Sequence, residues 1–98
     1  MSESGFDSIQ FKVDQLKSWN SVAAGWKKWW KTWEKGVQTL SDKLVELAEI
    51  KPGQRVLDIA TGIGEPAVTA ARIVGDKGLV VATDLSPEML AIGREIPV

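Results

Sequence analysis

The chain has 98 residues, 44% of them apolar and 26% charged, and its 12 Lys and Arg against 13 Asp and Glu leave a net charge of −1. This is the composition of a small globular domain, and it excludes a binder whose affinity rests on bulk positive charge, so nucleic acid is not an expected partner. With neither Cys nor His, disulfides, thiol nucleophiles, imidazole bases and the usual zinc sites are excluded too, and no metal site is expected.

The first twenty residues, MSESGFDSIQFKVDQLKSWN, have no basic start and no apolar block, so no signal peptide is expected. No apolar run approaches the roughly eighteen residues of a membrane span. A cytoplasmic location is the resulting expectation. Residues 7–35 read as a helix. Trp26, Trp29, Trp30 and Trp33 fall at i, i+3, i+4 and i+7, with Trp19 and Val22 one to two turns earlier, so the indoles share one face. Lys27, Lys28, Lys31 and Lys35 occupy much of the rest. All five Trp of the chain lie in this segment. Packing against the rest of the domain or a partner chain is the plain use of such a face; a lid over a ligand, or a membrane surface met by the interleaved Lys and Trp, are the sharper ones. Gly25 and Gly36 are points where the helix can break. A second helix is expected from Ser41, as N-cap, to about Glu49, ended by Lys51-Pro52-Gly53.

Arg55 to Ala60 (RVLDIA) is a short branched apolar run bounded by turn residues, which reads as a buried strand. Thr61-Gly62-Ile63-Gly64 is a glycine loop. Pro66 to about Val74 is a helix with Gly75 as its stop. Leu79 to Thr83 is a second apolar strand ending at Asp84, and Ser86-Pro87 opens a third helix. Strand, helix, strand is a βαβ unit with two parallel strands. The expected fold class is therefore α/β, divided into a Trp-rich helical leader at 1–50 and a βαβ unit at 51–98.

Ligands of open α/β sheets bind at the carboxyl ends of the strands. That edge carries Gly62, Gly64 and Asp84. The glycines permit tight turns and close approach of a ligand, and the helix that follows offers unpaired N–H groups. Asp84 follows Gly64 by twenty residues, the interval at which an acid ending the second strand can accept hydrogen bonds from a ribose diol. Gly62 to Ala67 also satisfies the dinucleotide pattern G-x-G-x-x-[GA]. Asp58 and Glu65 flank the loop with negative charge, which opposes a pyrophosphate and suits a ligand with an ammonium and a sulfonium. Electrostatics thus favours S-adenosylmethionine over NAD. Plainer roles stand beside these: Asp58 holding the loop, Glu65 matching a helix N-terminus, Ser86 as an N-cap, and Met89 and Leu90 in the core.

The run KPGQRVLDIATGIGEPAVTAARIVGDKGLVVATDLSPEML resembles the glycine motif and following acidic motif of class I S-adenosylmethionine-dependent methyltransferases, most of all the ubiquinone/menaquinone-biosynthesis type. The resemblance is specific over residues 51–93 and looser over the helical leader. It implies a Rossmann-like fold, here truncated to its N-terminal part. It also implies that Asp58, Ala60, Gly62 and Gly64 lie along the methionine portion of the cofactor, that Asp84 binds the ribose, and that Leu85, Ser86 and Met89 lie near the adenosine. Ala60 stands where many members have Gly.

In this family a small-molecule acceptor attacks the sulfonium methyl group in line, a reaction that rests mainly on positioning, so no catalytic side chain is assigned. The strands and acceptor half that follow in full-length members are missing from these 98 residues. Binding of S-adenosylmethionine with little or no turnover is therefore expected. A strand with one open edge further suggests a homodimer that completes the sheet or exchanges helices. A non-catalytic self-associating module and a dinucleotide-binding fragment are the alternatives.

Overall fold

A computed structural model describes residues 5–96. Asp7 caps the first helix, its Oδ1 accepting from the amides of Ile9 and Gln10 at 3.0 Å each. This helix, α1, runs from Ser8 to Leu47 without interruption. It ends where Glu49 adopts a left-handed φ of 55° and the amide of Ile50 reaches back to the carbonyl of Val45. Then follow β1 (Arg55–Ile59), α2 (Ala67–Val74), β2 (Leu79–Thr83) and α3 (Pro87–Glu95).

One continuous helix replaces the two expected from the sequence. Gly25 and Gly36 both lie inside it, and Ser41 is not an N-cap but a buried residue of its interior. A glycine in a helix costs only about 1 kcal/mol relative to Ala. Against that stands a contact face that continues in phase through both positions: Ala23, Trp30, Val37, Ser41 and Val45 recur at helical spacing and all are buried or half-buried. The small side chains of Ala23 and Ser41 let the helix lie close to the elements beneath it.

β1 and β2 pair in parallel, in register from Arg55↔Leu79 to Ile59↔Thr83, with α2 as the crossover. Such a connection needs the length of a helix to return the chain to the same end. α2 buries Ala67, Ala70 and Val74, and Val56 and Val80 are the half-buried apolar residues of the strands. Leu57, Ile59, Leu79 and Val81 alternate with them and are exposed, Ile59 to 74%. Among the described residues, each strand has only the other as a neighbour.

A small core forms where α1 crosses the glycine loop and α3: Ala23, Ile63 and Met89 are buried together, with Trp26, Trp30, Ile92 and Ile96 packed around them. The indole face is thus divided. Trp26 and Trp30 turn toward the loop, whereas Val22, Trp29 and Trp33, offset around the helix, remain exposed. Among the described residues, no helix is long and apolar enough to cross a membrane.

Candidate functional site

The glycine loop leaves the carboxyl end of β1 and is held from both strands. The amide of Thr61 donates to the carbonyl of Thr83 at 2.8 Å, one step beyond the strand ladder. The chain then turns through two left-handed residues, Ala60 at φ 60° and Gly62 at φ 63°, and Gly64 follows at φ 116°. A Cβ on Gly62 would lie 3.6 Å from the Met89 methyl, and one on Gly64 would lie 3.5 Å from Val68, so these glycines are required by φ rather than by crowding.

Two carboxylates fix the loop. Asp58, inside β1, accepts through Oδ2 from the Thr61 hydroxyl at 2.6 Å and from the Ala67 amide at 3.1 Å. It ties the loop to the first turn of α2, the loop-holding role weighed above. Asp84, at the end of β2, accepts through Oδ2 from the Gly62 amide at 2.7 Å and through Oδ1 from the Ser86 amide at 2.9 Å. Each carboxylate oxygen has room for a second donor. Asp84 therefore holds the loop while retaining capacity for hydroxyl donors. The amides of Ile63 and Glu65 have no protein partner among the described residues and complete the local donor set.

Ser86 caps α3, its hydroxyl accepting from the Met89 amide at 3.2 Å. The same hydroxyl donates to the side-chain oxygen of Asn20 on α1, which joins the Trp helix to the end of β2. Ser86 is wholly buried, so its side chain serves this junction. Glu65 accepts from the Thr69 hydroxyl at 2.7 Å, and Thr69 in turn accepts from Gln38 of α1 at 3.0 Å. α1 is thereby bonded to both sides of the loop.

Between α1 and the loop lies a cavity of about 440 Å³. Trp19, Trp26 and Trp30 form one side of it, and Ala60, Gly62, Glu65, Asp84, Leu85 and Met89 lie on the other. A second cavity of about 260 Å³ lies behind the loop among α2, β2 and α3, and Gly64 lines that one. Of the residues singled out from the sequence, Ala60, Gly62, Asp84, Leu85 and Met89 thus meet at one cavity, Gly64 borders its neighbour, and Asp58 and Ser86 stand outside as supports.

Sequence reasoning missed Asn20, whose partner is 66 positions away and leaves no spacing signal. It also missed Gly93. A Cβ there would lie 2.5 Å from the carbonyl oxygen of Ile63, so α3 rests directly on the loop backbone only because Gly93 lacks a side chain. A lone Gly inside a helical pattern was the available signal.

Residues 3–96 match the family described as the ubiE/COQ5 methyltransferase family. The curated relatives include the protein named ubiquinone/menaquinone biosynthesis C-methyltransferase UbiE from Teredinibacter turnerae, 41% identical over 91 residues, which are 92% of this chain and 31% of that protein. The protein of the same name from Coxiella burnetii (strain Dugway) is 34% identical over 89 residues, covering 91% of this chain and 31% of its own length. That from Ectopseudomonas oleovorans is 33% identical over 90 residues, 92% and 46% of the two chains. The chain therefore spans about a third of the length of the first two relatives. No solved structure matches it.

Proposed function

The chain belongs to the ubiE/COQ5 methyltransferase family, and we propose that it forms the S-adenosylmethionine-binding segment of such an enzyme, with the cofactor in the cavity between α1 and the glycine loop. The observation that carries this reading is the bond from the Gly62 amide to Asp84, which draws the loop and the acid of the second strand to one edge. The residues present fit the group. Asp84 keeps lone pairs for a ribose diol, the Ile63 and Glu65 amides can donate to a carboxylate, and the cavity has negative charge rather than positive on its rim.

S-adenosylmethionine supplies an electrophilic methyl group on a sulfonium. The chain's own residues position it: Asp84 orients the sugar, Asp58 and Asp84 hold the loop backbone in place, and Leu85 and Met89 give an apolar surface for the adenosine. The indoles of α1 close the cavity on the opposite side and limit water. No side chain here is assigned a proton transfer, and turnover requires an acceptor site that we place in the remaining two thirds of a full-length enzyme. Its acceptor is a small molecule in this reading.

Titration calorimetry of the chain with S-adenosylmethionine, S-adenosylhomocysteine and NAD tests the proposal. Heat from the first two and none from NAD supports it. Heat from NAD alone favours a dinucleotide-binding fragment, and no heat from any of the three removes the cofactor reading. The exposed row Leu57, Ile59, Leu79 and Val81 favours a second, compatible role as a self-associating segment, for which light scattering giving a homodimer is the expected result and a folded monomer the contrary one.

A further inference from the structure

Three Trp and two acidic residues line the same cavity. Trp19, Trp26 and Trp30 stand opposite Asp84 and Glu65, and among the described residues no Lys or Arg lines the space. Lys27 and Lys31, adjacent to these Trp in sequence, line a neighbouring cavity instead, where Lys27 pairs with Glu95 at 2.7 Å. An indole face carries negative electrostatic potential and attracts a cation held within about 6 Å. The side chains of this cavity's lining therefore favour positive charge, while the loop amides offer a separate place for a carboxylate. The wall is also preorganised, because Trp26 and Trp30 pack on the Ala23, Ile63 and Met89 core, so little side-chain freedom is lost on binding.

We infer that the Trp wall of α1 is a cation-reading subsite that recognises the sulfonium charge, so that the chain binds S-adenosylmethionine more tightly than the neutral thioether S-adenosylhomocysteine. This rests on the reading that the cavity takes S-adenosylmethionine. The two ligands share the adenosine and the amino acid portion and differ by one methyl group and one positive charge. Asp84 and the loop amides would hold what they share. The indole wall and the acidic residues both respond to the charge that separates them, and the Trp variants isolate the share of the wall.

The test is calorimetric titration of the whole chain with both ligands, for the unaltered protein and for Trp30→Phe, Trp30→Leu and Trp19→Leu. We expect about tenfold tighter binding of S-adenosylmethionine, in the range that cation–π contacts supply. Trp30→Phe keeps most of that preference, because a π face remains. Trp30→Leu removes most of it while leaving S-adenosylhomocysteine nearly unchanged. Circular dichroism checks that Trp30→Leu, which alters a core contact, still folds; Trp19→Leu, at a more exposed position, decides the matter if it does not. Equal affinities in the unaltered protein overturn the inference and leave the proposed function standing, as does parallel weakening of both ligands in the Leu variants. Failure of both ligands to bind the unaltered protein overturns the proposed function and this inference with it.

Discussion

The amide of Gly62 donates to the carboxylate of Asp84 across 2.7 Å, so the turn after β1 is fastened to the residue that ends β2. The second oxygen of Asp84 holds the Ser86 amide. Asp84→Ala strips two backbone donors of a charged acceptor, and hydrogen bonds to charged groups contribute about 1.5–3 kcal/mol each, less what water restores at a half-exposed site. We expect a loss of about 1–3 kcal/mol, read as a lower urea midpoint with unchanged slope, together with weaker binding of S-adenosylmethionine. Asp84→Asn, which can still accept from one amide, falls between. An unchanged midpoint contradicts the role given to this contact.

Ala60 sits at φ 60°. A left-handed conformation costs an L-residue about 1–2 kcal/mol, which glycine avoids at the expense of a larger entropy loss on folding. Ala60→Gly should therefore stabilise the chain by about 0.5–1 kcal/mol. In a domain of this size that raises the melting temperature by about 4 °C, measurable by calorimetry. A fall in melting temperature contradicts the strain assigned to Ala60.

Gly93 sets two effects against each other. Replacing it with Ala gains about 1 kcal/mol of helix propensity. It also places a methyl carbon 2.5 Å from a backbone oxygen of Ile63, which no rotamer change relieves. Overpacking of this kind costs about 1–3 kcal/mol, so net destabilisation is expected. Trp fluorescence should shift as well, because Trp26 and Trp30 pack against the cluster that contains Ile63. Net stabilisation shows that α3 lifts away freely.

Asn20→Ala removes the acceptor for the buried Ser86 hydroxyl. Leaving a buried donor unmatched costs about 1–3 kcal/mol. The local readout is amide exchange at Met89, whose N–H bonds to the same hydroxyl. Faster exchange there, with α2 unaffected, is the expected pattern; uniform change across both helices shows only a global loss of stability.

The strands and α2 were legible because their signals are local. β-branched runs between turn residues mark β1 and β2, and Ser86-Pro87 marks the start of α3. The continuity of α1 was not legible. Gly25, Gly36 and Ser41 speak for a break to any reading of nearby residues, whereas Ala23, Ser41 and Val45 are decided by what lies against them across the fold. Periodicity likewise grouped the indoles on one face. It could not show that a helix resting on a narrow ridge covers Trp26 and Trp30 and leaves Trp29 and Trp33 bare. At the site, residue types and the twenty-residue interval grouped Gly62 and Asp84, and the structure joins them by a hydrogen bond. The division of labour among the carboxylates depends on hydrogen-bond directions that spacing does not carry.

The hydrogen bonds that Asp58 and Asp84 accept at the turn after β1 come from residues 61 to 86, and none involves a side chain of the uncovered row of Leu57, Ile59, Leu79 and Val81. Transplanting this segment into a chimeric protein would consequently demand an apolar layer beneath that row and a strand alongside β1, and α1 would have to travel with the bend to keep the Trp side of the cavity. The bend and the helix over it are thus one graft, and the bare side of the strands is a separate demand on the host.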